Sequence, residues 1–94
     1  MRAMVVERYG EPLRMRDLPP PSPGPRQVLV RVRGCGVCRS DLKVVSGAMP
    51  FSATVPLPHV PGHEIAGEIA GVGPAARGRV GDRVVVYHLS LIHI

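Results

Sequence analysis

Between Gln27 and Arg33 the chain alternates cleanly, with Val28, Val30 and Val32 on one face and Arg31 and Arg33 on the other. A period of two is that of a half-buried β-strand. Two shorter runs, Arg2–Val6 and Leu13–Asp17, predict strands joined by a turn at Gly10–Glu11–Pro12. The stretch PPPSPGP, Pro19–Pro25, lacks the N–H donors a ladder needs and is expected to be a stiff surface connector. After Cys38, RSDLKVVSG predicts a short helix that Ser40 or Asp41 could cap and Gly47 could end. A Pro-rich loop, Ala48–Pro61, leads to a strand at Glu64–Val72, in which Gly67 and Gly71 mark a bulge or a close backbone approach. A turn at Gly81–Asp82 precedes a last strand at Arg83–Tyr87. The expected fold is mostly β with one short helical segment, closed into a small, partly open barrel.

Composition narrows the function. Ninety-four residues make at most one domain, near the lower limit for burying a core. Eleven Pro and eleven Gly suit short strands and turns better than a helical bundle. The net charge of +5 invites a nucleic-acid reading, but eleven of the twelve basic residues are Arg scattered from Arg2 to Arg83, not gathered on one face. With no Trp, one Phe and two Tyr, stacking platforms for single strands are missing too. No nucleic-acid partner is expected. Nor is a membrane, since no apolar run approaches the ~18 residues of a span, and MRAMVVERYG turns charged too early for a signal peptide. Two cysteines without secretory signals point to a reducing cytoplasm and to thiols kept for chemistry or metal.

Three motifs compete for those thiols and for the glycines. Gly71–Val72–Gly73–Pro74–Ala75–Ala76 matches the dinucleotide fingerprint, yet Arg77–Gly78–Arg79 runs on into the Val80–Gly81–Asp82 turn with no room for the phosphate-cradling helix, so a tight turn is expected. Cys35, Cys38, His59 and His63 spell C-x2-C…H-x3-H, a zinc-knuckle order. Pro61 and Gly62 stand between the two histidines, so no ordinary helix presents them together. This remains the alternative binding-module reading. A thioredoxin-like C-x-x-C would need crossover helices that the β-rich flanks lack.

A different grouping is more specific: G-x-C-x-S-D at Gly36–Asp41, P-G-H-E at Pro61–Glu64 and V-G-D-R-V at Val80–Val84. A thiolate and a neutral imidazole are proper zinc ligands, and a nearby carboxylate can fix the tautomer of the histidine. With these motifs, GVCRSDL, VPGHEIAGEIAGVG and RVGDRVVVY resemble the N-terminal GroES-like catalytic domain of zinc-dependent alcohol dehydrogenases, in the medium-chain dehydrogenase/reductase superfamily. The resemblance covers nearly the whole chain, to about Tyr87. It implies a GroES-like partly open β-barrel. Cys38 and His63 would be two of three protein ligands of a catalytic zinc, and Glu64 the carboxylate that can approach the metal. Ser40 would be the proton-relay hydroxyl, Asp41 the partner of His63, and Arg39 a basic residue near the cofactor pyrophosphate. Cys35 would be a packed neighbour at the strand end, and His59 part of the loop.

The same resemblance implies zinc and NAD or NADP as cofactors, and a small alcohol, aldehyde or ketone as substrate. It also implies a homo-oligomer when full length. The third zinc ligand and the nicotinamide domain would lie beyond residue 94, leaving this piece inactive alone. The final hexapeptide, LSLIHI at Leu89–Ile94, equals the in-frame translation of CTGTCTCTTATACACATC, the end of a common transposase-based sequencing adapter. The expected domain is therefore residues 1–88, with 89–94 a non-native tail. Two further alternatives stay open, a zinc-free quinone reductase-type enzyme and a non-enzymatic GroES-like module. Neither gives a reason to keep Cys38, His63 and Glu64 together.

Overall fold

The computed structural model describes residues 1–49 and 55–87. Part of the expected Pro-rich loop and the whole Leu89–Ile94 tail lie outside the described residues. Among the described residues, five strands and one helix follow in the order β1 (Arg2–Val5), β2 (Arg14–Asp17), β3 (Val28–Gly36), α1 (Arg39–Ser46), β4 (Glu64–Val72) and β5 (Arg83–Val85). The mostly-β pattern with one short helix is the one the hydrophobic periodicity predicts. The chain forms two compact units, one built from Met1–Pro19 and Val37–Gly62, the other from Pro20–Gly36 and the segment starting at His63.

In the first unit β1 and β2 pair antiparallel, from Arg2↔Asp17 to Val5↔Arg14. The chain-terminal ammonium closes this ladder on Asp17 Oδ1 at 3.0 Å and the Leu18 carbonyl at 2.7 Å. Val5 and Val6 are buried, and Val6 exchanges both backbone hydrogen bonds with His59, at 2.8 and 3.0 Å. On the surface Arg16 donates to Glu7, with Arg14 Nε 3.8 Å from the same carboxylate. The hydrogen bond from Arg16, aided by the charges of Arg16, Arg14 and Arg8, holds the Glu7 carboxyl below its ordinary pKa, against the opposing effect of desolvation. Helix α1 ends where the glycine requires: Gly47 adopts φ +79°, and its N–H returns to the Val44 carbonyl at 3.1 Å.

The second unit is a three-stranded antiparallel sheet, ordered β3-β4-β5. Here β3 runs three residues beyond the expected end at Arg33, and the alternation does not hold along it. Val28, Leu29 and Val30 are half-buried, but Val32 is 55% exposed. Its cross-strand partner is Gly67, which has no side chain to cover it. Two register shifts interrupt the ladder, one between Leu29 and Val30 and one between Val32 and Gly34. The second leaves Arg33 unmatched, and its guanidinium reaches Glu68 at 3.2 Å. Ile69 is buried, and its backbone bonds to Gly81 and Asp82 at 2.8 and 2.9 Å tie the turn to the sheet.

The glycines of β4 behave in two ways. A Cβ on Gly67 would sit 2.2 Å from the Arg31 carbonyl oxygen, so the expected close approach is there, while a Cβ on Gly71 would make only an ordinary 3.5 Å contact with Leu29. Gly73 packs against the Gly24–Pro25 backbone, and Ala76 N–H closes on its carbonyl at 3.0 Å. The fingerprint-like stretch is thus a turn without a helix. Strand β5 is shorter than expected, stopping at Val85, with Tyr87 82% exposed.

Candidate metal centre

Residues 38–41 form the start of α1 in the first unit. Cys38 is the N-cap, with the extended backbone of that position, φ −106° and ψ 156°. Asp41, at the third helical position, accepts the Cys38 backbone N–H on Oδ2 at 2.9 Å, while its own N–H donates to the Cys38 carbonyl at 3.0 Å. The expectation of Ser40 or Asp41 as the cap is corrected: the cap is Cys38, and Asp41 supplies the returning carboxylate of a capping box. Cysteine is not a customary cap, so no sequence rule marks it. Ser40 lies in the first turn, partly buried, and Arg39 beside it is exposed. First-turn N–H groups favour negative charge at this end, the sense a metal-binding thiolate needs.

His63 and Glu64 open β4 in the second unit. The imidazole is three-quarters buried and the carboxylate half exposed. His63 Nε2 stands 4.0 Å from Glu64 Oε2. Glu64 is the ladder partner of Gly36, the last residue of β3, and Cys35 is paired with Ile65. Cys35 is exposed rather than packed, its Sγ 3.6 Å from the Gly36 carbonyl. His59 lies in the first unit, bridged to Val6 by its backbone.

Within the second unit, the ladder sets the residue that opens the cysteine motif opposite the one that closes the histidine motif. Gly36 and Glu64 are opposed across the β3–β4 pair. Two chain links of ~3.8 Å carry β3 on to Cys38, and one link separates His63 from β4. The two motifs that are 25 residues apart along the chain, by the numbers of Cys38 and His63, therefore spring from one end of one strand pair. Cys38 carries a thiol, His63 an imidazole and Glu64 a carboxylate, all ligand types that suit zinc. Gly36 heads the G-x-C-x-S-D motif, but the motif assigns it no role of its own. Only the register shows what it faces.

This chain belongs to the alcohol dehydrogenase GroES-like domain family, whose model matches residues 24–93. It is 46% identical over 90 residues to an NAD-dependent alcohol dehydrogenase of Sulfolobus acidocaldarius, covering 92% of this chain and 26% of that protein. Over 86 residues it is 42% identical to the D-arabinose 1-dehydrogenase (NADP(+)) of Saccharolobus solfataricus, covering 92% and 24%. A cobalt- and zinc-bound thermostable alcohol dehydrogenase from Pyrobaculum aerophilum superposes with a TM-score of 0.83 at 43% identity, covering 93% of this chain and 26% of that one. The fold is thus GroES-like, and the chain spans about a quarter of the length of these relatives. No helix among the described residues is long and apolar enough to cross a membrane.

Proposed function

We propose that this chain is the front part of the catalytic domain of a zinc-dependent dehydrogenase that interconverts a small alcohol and its aldehyde or ketone, using NAD or NADP. The observation that carries the reading is the Gly36↔Glu64 pairing, which starts the cysteine motif and the histidine motif from the same sheet end. Cys38 and His63 would hold the metal, with the third protein ligand and the nicotinamide domain supplied by the longer protein. Bound there, zinc supplies a Lewis acid that polarises the substrate oxygen and makes an alcohol proton easier to remove.

The chain's own residues do the rest. Cys38 binds as thiolate from the helix start, where Asp41 fixes its backbone. Asp41 also carries the charge that can orient His63, and Glu64 offers a carboxylate beside the imidazole. The Ser40 hydroxyl can accept the substrate proton and pass it on. Arg39, exposed on the first turn, would meet an anionic cofactor group.

The test is carried out on the complete protein with NAD and NADP and a panel of primary, secondary and sugar alcohols. Nicotinamide reduction should vanish when metal analysis shows the zinc stripped, and should return on adding zinc. Undiminished turnover in the verified zinc-free protein would establish the zinc-free reductase reading instead. Zinc retained by Cys35 and His59, with no turnover of any alcohol, would establish the knuckle.

A further inference from the structure

Glycines usually occupy a position because the backbone there turns left-handed or because another backbone passes close by. Gly36 fits neither case. Its φ is outside the positive range that Gly10, Gly47, Gly62, Gly78 and Gly81 adopt. A Cβ at Gly36 would meet no backbone atom among its three nearest neighbours. It would meet Glu64, lying 2.9 Å from Oε1, 3.2 Å from Cβ and 3.3 Å from Cδ. Gly67 and Gly73 differ, because there the nearest atoms are carbonyl oxygens of the chain at 2.2 and 2.1 Å.

We infer that Gly36 is a positioning residue for the Glu64 carboxylate. The space left by the missing Cβ is where that carboxylate lies, with Oε1 over Gly36 and Oε2 4.0 Å from His63 Nε2. The inference rests on the zinc reading, in which Glu64 serves the metal that His63 holds. Its physical basis is the softness of the obstacle. Rotating the half-exposed Glu64 side chain would clear its Oε1 and Cδ from an added methyl. The 3.2 Å contact with its Cβ would be met by a shift of a few tenths of an ångström, at small cost to the fold. Rotation would carry the carboxylate away from His63. The position would therefore be restricted to glycine by the site and not by the sheet.

A double-mutant cycle in the complete protein separates these two roles. Zinc affinity would be measured by chelator competition, and the ligand field by the absorption spectrum of the cobalt(II)-substituted protein. The four proteins are wild type, Gly36→Ala, Glu64→Ala and the double variant. Gly36→Ala should weaken zinc about tenfold, the lower end of the range for supporting residues around a metal, and shift the cobalt bands. In the Glu64→Ala background the same substitution should change neither. Its denaturation midpoint should match the wild type in both backgrounds. Equal losses in the two backgrounds, or no change in affinity and spectrum in either, would overturn the inference while leaving the zinc reading standing. Cys38→Ala serves as the control for that reading. If it binds zinc as the wild type does, the reading fails and takes the inference with it.

Discussion

The backbone N–H of Cys38 donates to Asp41 Oδ2 at 2.9 Å, so the proposed metal ligand is also the N-cap of α1. A ligand on a helix cap has its backbone fixed before any metal arrives, which reduces the ordering cost of binding. Asp41→Ala removes the acceptor and should destabilise the protein by about 1 kcal/mol. Asp41→Asn keeps a side-chain oxygen in place and should recover most of that loss. Denaturant midpoints of the three proteins check the ranking. An Asn variant as unstable as the Ala variant would mean that charge at the helix start, and not the hydrogen bond, is what stabilises it.

Gly67→Ala should be far more damaging than Gly36→Ala, though both lie in the same strand pair. The added methyl would be 2.2 Å from the Arg31 carbonyl oxygen, which belongs to a paired strand and cannot swing aside. The expected cost is about 1–3 kcal/mol, or loss of the fold, through overpacking. Thermal unfolding of the two variants side by side decides it. Similar midpoints would show that β3 moves more easily than its ladder suggests.

Glu7 links stability to pH at the surface of the first unit. Its carboxyl is held below the usual value chiefly by the Arg16 hydrogen bond. A lowered folded-state pKa contributes stability that is present above the unfolded value and lost as the pH falls through the folded one. The midpoint difference between wild type and Glu7→Gln should therefore be present at neutral pH and fade through the acid range. As an exposed pair it should be small, and smaller in high salt. A difference that grows on acidification would contradict this assignment.

How legible the structure was depends on which force acted at each element. Strands β1, β2 and β4 and the helix were readable because period and breakers report directly on them, with Gly47 needed for the left-handed turn that ends α1. The run to Gly36 was not, since Gly34–Cys35–Gly36 carries no alternation and pairs only because β4 lies opposite. Val32 follows the same rule: its exposure depends on Gly67, a partner 35 positions away by residue number. For the site, Cys38, His63, Glu64, Ser40, Asp41 and Arg39 came from a motif resemblance. Single-residue chemistry gave no reason to choose Cys38 over Cys35. The role of Gly36 is not legible from its place at the head of G-x-C-x-S-D, because it is defined by the side chain across the ladder.

The central claim is the choice of sulfur, and zinc stoichiometry of the complete protein tests it most directly. Metal content would be measured for wild type, Cys35→Ala, Cys38→Ala and His63→Ala after dialysis against a weak chelator, with the fold of each verified. Cys35 is exposed on β3, so Cys35→Ala should keep the catalytic-site zinc. Cys38→Ala and His63→Ala should each lose it. Loss of zinc from Cys35→Ala, or its retention by Cys38→Ala, would contradict the account.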